Sequence, residues 1–285
     1  MTWLVWRQHR LQLAGLLAVL VLASLTLLAA GGIVAVRHVQ LPPSLVAAWE
    51  GLLFLPVLAG MFLGAPLVAR EVERGTVRLA WTQSVTRTRW FWTATGGILA
   101  VLIAGAALAQ LVISPLLMPL LADEGGGLMF PAAFDEVGVV PVAYAVFAFA
   151  LGVFCSAGLR RTVAAMFLCL LLFAAVRIPI DTVVREHYLP PVTKVLAGVG
   201  TQYPGFSPQY GLLLDFSYLN AAGDRTGYQP ICLKGTGPTC AIRYEVSYQP
   251  PSRFWPIQLV ESGIYLILSA LLLAGAARFV RRLGT

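Results

Sequence analysis

The chain has 285 residues, 58% of them hydrophobic and only 12% charged, with a formal net charge of +7 and a mean hydropathy of +0.79. A soluble domain carries about 45–50% apolar and about 25% charged residues, so this composition excludes an ordinary soluble enzyme and a disordered chain alike. Nucleic acid is excluded as the partner of the positive charge, because only Lys194 and Lys234 are lysines and the arginines lie between apolar runs rather than in one patch.

In chain order, residues 1–10 come first. Trp3, Trp6, Arg7 and Arg10 recur there at helical spacing, which suits a cytoplasmic interfacial helix lying in the headgroup layer of the lipid bilayer. A helix crossing a hydrocarbon core of about 30 Å needs about 20 mostly apolar residues. Six runs qualify: 11–36, 45–69, 91–122, 137–159, 162–180 and 257–277. The third run is too long for one span and too short for two. Pro115 and Pro119 interrupt it, so the helix is expected to end near Ile113, with the remainder at the interface. Within the second run, Gly60-Met61-Phe62-Leu63-Gly64 has the small-xxx-small spacing of close helix packing, a pattern that a dimer face could use but that is frequent by chance in Gly- and Ala-rich spans. The predicted fold class is an all-α polytopic membrane protein of six transmembrane helices.

Orientation follows from arginine bias in short loops. Arg7 and Arg10, five arginines of the loop between spans two and three, Arg160, Arg161, Arg278, Arg281 and Arg282 place twelve of the twenty cations on one face. The opposite short loops, 37–44 and 123–136, have Arg37 alone and carry Asp123, Glu124, Asp135 and Glu136. Both termini are therefore expected to be cytoplasmic, with 278–285 a cytoplasmic tail and 181–256 an extracellular segment. Cys232 and Cys240 fall in that segment, where an oxidising exterior permits a disulfide. Ile242, Tyr244, Val246 and Tyr248 alternate with polar residues just after it, the pattern of a half-buried strand. A small disulfide-pinned hairpin is the expectation.

The chemistry absent from the chain narrows its function. Its three histidines, His9, His38 and His187, flank the spans, and no H-E-x-x-H, C-x-x-C or G-x-x-x-x-G-K-[ST] occurs. Metal sites of the usual spacing and a nucleotide-cradling P-loop are thus not expected. Ionisable residues at membrane depth are Glu50, Arg177 and Glu261, functional candidates by default. The topology gathers them near the outer leaflet boundary, where they either pair to pin helix ends or form an outer gate.

The loop 70–90 is the most unusual piece. The second span continues as a charged helix through Glu71, Glu73 and Arg74 to Gly75, a plausible C-cap. Thr76 can cap a short turn presenting Leu79, Ala80 and Trp81, and Ser84 or Thr86 can cap the helix that re-enters before Arg87. Such an apolar plug in a charged frame can take force from a soluble partner.

Three stretches carry a resemblance: Thr2-Trp3-Leu4 with Trp6-Arg7-Gln8-His9-Arg10; Ala69-Arg70-Glu71 through Arg74-Gly75-Thr76 to Leu79-Ala80-Trp81-Thr82-Gln83-Ser84-Val85-Thr86-Arg87; and Tyr248-Gln249-Pro250 with Arg253-Phe254-Trp255 and Gln258 to Glu261. His187-Tyr188-Leu189-Pro190-Pro191 is a looser fourth. With these the chain resembles bacterial permease subunits of ATP-binding-cassette (ABC) transporters of the type-2, exporter-like class. The resemblance implies a multi-pass plasma-membrane protein in which two permease subunits, identical or paralogous, form the translocation pathway. It also implies that each docks on a separate ATPase subunit that binds ATP and Mg, leaving this chain non-catalytic and without a cofactor of its own. The coupling interface it implies comprises Trp3, Trp6, Arg7, Arg10, Glu71, Glu73, Arg74, Gly75, Thr76, Leu79, Trp81 and Arg87. Two other classes stay open: a ligand-sensing or scaffold membrane protein without transport, and a secondary transporter.

Overall fold

The structure, a computed structural model, describes residues 14–15, 51–75, 86–122, 127–199, 211–219, 223–226 and 241–282. The expectations for Trp3, Trp6, Arg7, Arg10, the first span, Glu50, Thr76, Leu79, Trp81, Cys232 and Cys240 lie outside the described residues.

Five described helices are long and apolar enough to cross a membrane. Helix α1, Gly51–Glu73, is composite: a 3-10 turn and an α-helical turn lead into a π-helical turn at Gly60–Gly64, and Pro66–Glu73 resumes the α form. The π turn closes through Ala65 N–H on the Gly60 carbonyl at 2.9 Å. Just beyond it, the amides of Val68 and Ala69 both donate to Ser156 Oγ, at 3.1 and 2.8 Å. Gly75, at φ +68°, then ends the helix, with its amide on the Val72 carbonyl, as the sequence leads one to expect.

Helix α2 is Arg87–Ala122. Thr86 caps it, its Oγ1 accepting the Arg89 amide at 3.3 Å. The expected end near Ile113 is corrected: the helix runs through Pro115 and Pro119 to Ala122. Each proline removes one N–H, but inside an apolar medium every other backbone group still needs its intrahelical partner, so continuing the helix is the least costly course. Among the side chains next to the prolines, Ser114 Oγ donates to Gln110 Oε1 at 2.9 Å and accepts the Gly138 amide at 3.0 Å.

The loop expected at 123–136 contains a short helix, α3, Pro131–Glu136. Its Asp135 and Glu136, read as loop charges from sequence, are both buried. Helix α4, Val140–Leu159, follows, and fifteen of its twenty residues are buried. A helix apolar on every side belongs in the middle; α4 packs against α1, α2, α5 (Thr162–Pro179) and α6 (Phe254–Arg282). Helix α5 does not stop at the expected residue 180. A π turn, Ile180–Val184, and a 3-10 turn, Arg185–His187, prolong it. Helix α6, Phe254–Arg282, is longer at both ends than the expected 257–277.

The π turn of α1 meets α4 at close quarters. A Cβ on Gly60 would overlap the Ala148 carbonyl, one on Gly64 the Phe149 carbonyl, and one on Gly152 the Gly60 carbonyl. The small-residue spacing at Gly60–Gly64 is thus used inside the chain, against α4, and not for a dimer face.

Between α5 and α6 lies more than a hairpin. Strands β1 (Val192–Val199), β2 (Leu212–Leu219), β3 (Arg225–Thr226) and β4 (Ala241–Gln249) form one antiparallel sheet in the order β1-β4-β2-β3. The alternation at 242–248 falls on β4, whose Val246 and Tyr248 are buried. The sheet enlarges the expected hairpin, while the candidate membrane-spanning part is helical. Two clamps fix it to the bundle: Gln249 Nε2 donates to the Leu189 carbonyl at 2.6 Å, and Arg253 Nη1 to the Pro190 carbonyl at 2.5 Å. The stretches around 187–191 and 248–255, noted separately in the sequence, therefore lie against each other.

The outward faces are apolar. Phe167 and Leu171 on α5, Leu259, Ile267 and Leu271 on α6, and Leu108 and Leu111 on α2 are each more than 60% exposed, a surface suited to acyl chains and not to water.

Candidate functional site

At the bundle end where α5 stops and α6 starts, four elements converge on one buried charge cluster. Arg185, 2% exposed, stands at its centre. Its Nε donates to Glu261 Oε2 at 2.9 Å and its Nη2 to Glu261 Oε1 at 3.0 Å, a bidentate pair with α6. The same Nη2 lies 2.6 Å from Asp135 Oδ1 of α3, and Nη1 lies 2.5 Å from Asp181 Oδ1 one helical turn earlier. Arg177, two turns back on α5, pairs with Asp135 Oδ2 and lies 3.7 Å from Glu261 Oε1. Tyr144 of α4 completes the group: its hydroxyl donates to Glu261 Oε1 at 2.5 Å and lies 3.1 Å from Asp135 Oδ1.

The rings cover the cations. Arg177 sits 4.2 Å over the Tyr144 ring and Arg185 4.4 Å over Phe134, and Tyr265 packs edge-on to Tyr144 with centroids 4.9 Å apart. Glu261 is fully buried. A buried carboxylate is tolerated only when charge and hydrogen bonds compensate it, and Glu261 takes three such donors from Arg185 and Tyr144.

One turn before Glu261, Gln258 performs the same service for the backbone. Its Oε1 accepts the amides of Val139 and Val140 at 3.0 and 2.9 Å, while Nε2 donates to the carbonyls of Phe134 and Val137 at 2.8 and 2.9 Å. The elbow between α3 and α4 is thereby held on α6, and Asp135 within it is held in place for the two arginines.

Beside the cluster, a cavity of about 410 Å³ opens between α1, α2, α4 and α5. Its walls are apolar (Leu55, Ala109, Ile113 and Phe173), and it ends on Asp135, Tyr144, Arg177 and Asp181. Among the described residues, no group of three or more His, Cys, Asp or Glu is arranged to hold a metal, and Cys155 and Cys169 are buried thiols. The arrangement offers a two-guanidinium, three-carboxylate lock at the head of an apolar chamber, not a nucleophile.

At the opposite end, Glu73 closes α1 onto α5. Its Oε1 accepts the Thr162 amide at 3.0 Å and its Oε2 the Thr162 hydroxyl at 2.6 Å, an N-cap supplied from another helix. Arg74 is the C-cap residue of that stretch. Arg87, at the start of α2, reaches the Arg281 carbonyl at 3.4 Å.

Of the expected outer cluster, the structure brings Arg177 and Glu261 together; Glu50 lies outside the described residues. Sequence reading missed Asp135, Tyr144, Asp181, Arg185, Gln258 and Tyr265. A signal existed: Arg177, Asp181 and Arg185 stand at i, i+4 and i+8, and Gln258, Glu261 and Tyr265 at i, i+3 and i+7, each a single helical face.

Five apolar helices with outward apolar faces make the chain a multi-pass membrane protein. The family described as ABC-2 membrane transporter related matches residues 35–185, just over half of the 285 residues. The chain belongs to that family, and is an ABC-2 type permease, a membrane component of ABC transport. No curated protein and no solved structure matches it.

Proposed function

We propose that the chain is the membrane-spanning subunit of an ABC exporter in a bacterial plasma membrane, with both termini cytoplasmic. It forms the translocation pathway as a dimer with an identical or paralogous subunit, and a separate ATPase subunit supplies the ATP and Mg. The chain itself hydrolyses nothing. Family membership carries this reading. Two features support it further: the Glu73–Thr162 cap joins the end of α1, in the loop proposed to meet the ATPase, to the start of α5, and α5 carries Arg177 and Arg185 at its other end.

The interface on this reading comprises the 1–10 helix and the segment from Glu71 to Arg87. The test is co-purification with an ABC-type ATPase subunit expressed from the same gene cluster. The chain alone should show no ATP hydrolysis, and the complex in proteoliposomes should show vanadate-sensitive turnover. Replacing Glu71 and Glu73 with alanine and deleting residues 79–81 should abolish stimulated turnover by the permease; full turnover and transport in that variant would reject the coupling assignment. Flux driven by a proton gradient without ATPase would instead favour a secondary transporter.

A further inference from the structure

At the arginine-bearing end of the bundle, a groove of about 370 Å³ runs between α1 and α5. Its floor is apolar: exposed Phe62 and buried Pro66 of α1, and half-buried Met166 of α5. Phe62 is 53% exposed, and Phe54 and Leu58 extend the same exposed stripe along α1. The mouth of the groove carries Arg70, Arg74, Glu73 and Thr162.

The charges at this mouth do not cancel by pairing. Both carboxylate oxygens of Glu73 are occupied by Thr162, and among the described residues neither Arg70 nor Arg74 has an ion pair. Arg161, next to Thr162, adds a third cation close enough to act on Glu73. An apolar groove that ends under two guanidiniums, near the charged end of a helix long and apolar enough to cross a membrane, has the charge and chemistry of one kind of occupant.

We propose that this groove binds an anionic phospholipid, its acyl chain along Phe62 and Met166 and its phosphate between Arg70 and Arg74. Guanidinium suits the phosphate because its fork can donate two parallel hydrogen bonds. The acyl chain distinguishes this occupant from a free phosphate, which has no use for the apolar floor. Because Glu73 ties the same spot to the first turn of α5, lipid in the groove also braces the α1–α5 junction.

The test uses the full-length chain in detergent, with phosphatidylglycerol or phosphatidylcholine added at equal concentration and bound lipid read by native mass spectrometry. Phosphatidylglycerol should be retained in preference. Arg70→Gln should reduce that retention about fivefold, the fold-change equivalent to the ~1 kcal/mol that a basic residue near an anionic surface contributes, and Arg70→Lys should restore part of it. Arg278→Gln, which removes an arginine from α6 at the same end but outside the groove, should leave retention unchanged.

Equal retention of both lipids, or an equal loss in Arg278→Gln, would overturn the site in favour of general surface charge. Displacement of phosphatidylglycerol by inorganic phosphate alone would overturn the lipid as occupant. If Arg70→Gln leaves lipid retention intact but abolishes co-purification of the ATPase, the groove is a protein-docking surface and the lipid proposal falls, while the proposed function stands.

Discussion

Arg185 holds together three elements that are far apart in sequence, so its removal is the sharpest test of the charge cluster. Arg185→Ala leaves Glu261 buried with Tyr144 as its remaining close donor, and breaking a buried pair by deleting one partner costs about 3–5 kcal/mol. The variant should therefore melt well below the parent in detergent, as followed by near-UV circular dichroism. Adding Glu261→Gln should recover part of the loss, since the uncompensated charge is then gone; strictly additive losses would show that the two side chains do not act as a pair. Arg185→Lys should fall between, because a lysine keeps the charge but cannot donate bidentately to Glu261 while reaching Asp135. Gln258 makes a purely polar counterpart. Gln258→Leu matches its bulk but strands two amides and two carbonyls of the α3–α4 elbow, and each unsatisfied buried group costs about 1–3 kcal/mol. A melting point within a degree of the parent would reject the assignment of these four hydrogen bonds to stability.

Elements make different demands from residues, and the α1–α4 contact shows it. Gly152→Val inserts a side chain where the Gly60 carbonyl already lies, so the helices must separate, and expression and melting temperature should both fall. Gly158→Ala, six residues on in the same helix and with nothing within 4 Å of the new methyl, should be neutral or slightly stabilising, because alanine is the better helix former. Matching losses in the two variants would mean that α4 rejects any added bulk, not that α1 sits against it at Gly152. The Gly60–Gly64 spacing was legible as a close-packing surface; its partner was not, because spacing says how near a neighbour can come but not which helix it is. The same limit explains the other differences. Capping residues such as Thr86 and Gly75, and the alternating strand at 242–248, act through local geometry and are readable one at a time. Asp135 and Arg185 look like ordinary charges beyond a span end until tertiary structure covers them. Pro179 looks like a helix stop, yet the chain absorbs it by widening into a π turn that brings Arg185 round to Glu261.

For the molecule as a whole, the question is whether its two ends act on each other. Helix α5 with its extension, Thr162–His187, comprises 26 residues, about 39 Å at about 1.5 Å per residue, and it touches Glu73 at one end and Glu261, Asp135 and Tyr144 at the other. A packed helix moves as a rigid element. Under the proposed function, displacement of α1 at the loop that meets the ATPase passes through the Glu73 cap into α5, and from there to the Arg177 and Arg185 contacts beside the apolar chamber. Val184 is a suitable reporter, being exposed beside Arg185, while Cys155 and Cys169 are buried and should label slowly. In a chain carrying Val184→Cys, Cys232→Ser and Cys240→Ser, assembled with its ATPase, the rate of maleimide labelling should differ between nucleotide-free and vanadate-trapped states. Glu73→Ala should shrink that difference severalfold without changing the nucleotide-free rate, and Glu73→Gln, which keeps one acceptor for Thr162, should shrink it less. A full nucleotide-dependent difference in Glu73→Ala would show that the signal reaches Arg185 by another route, with α4, packed against α1, α5 and α6 together, the next element to test.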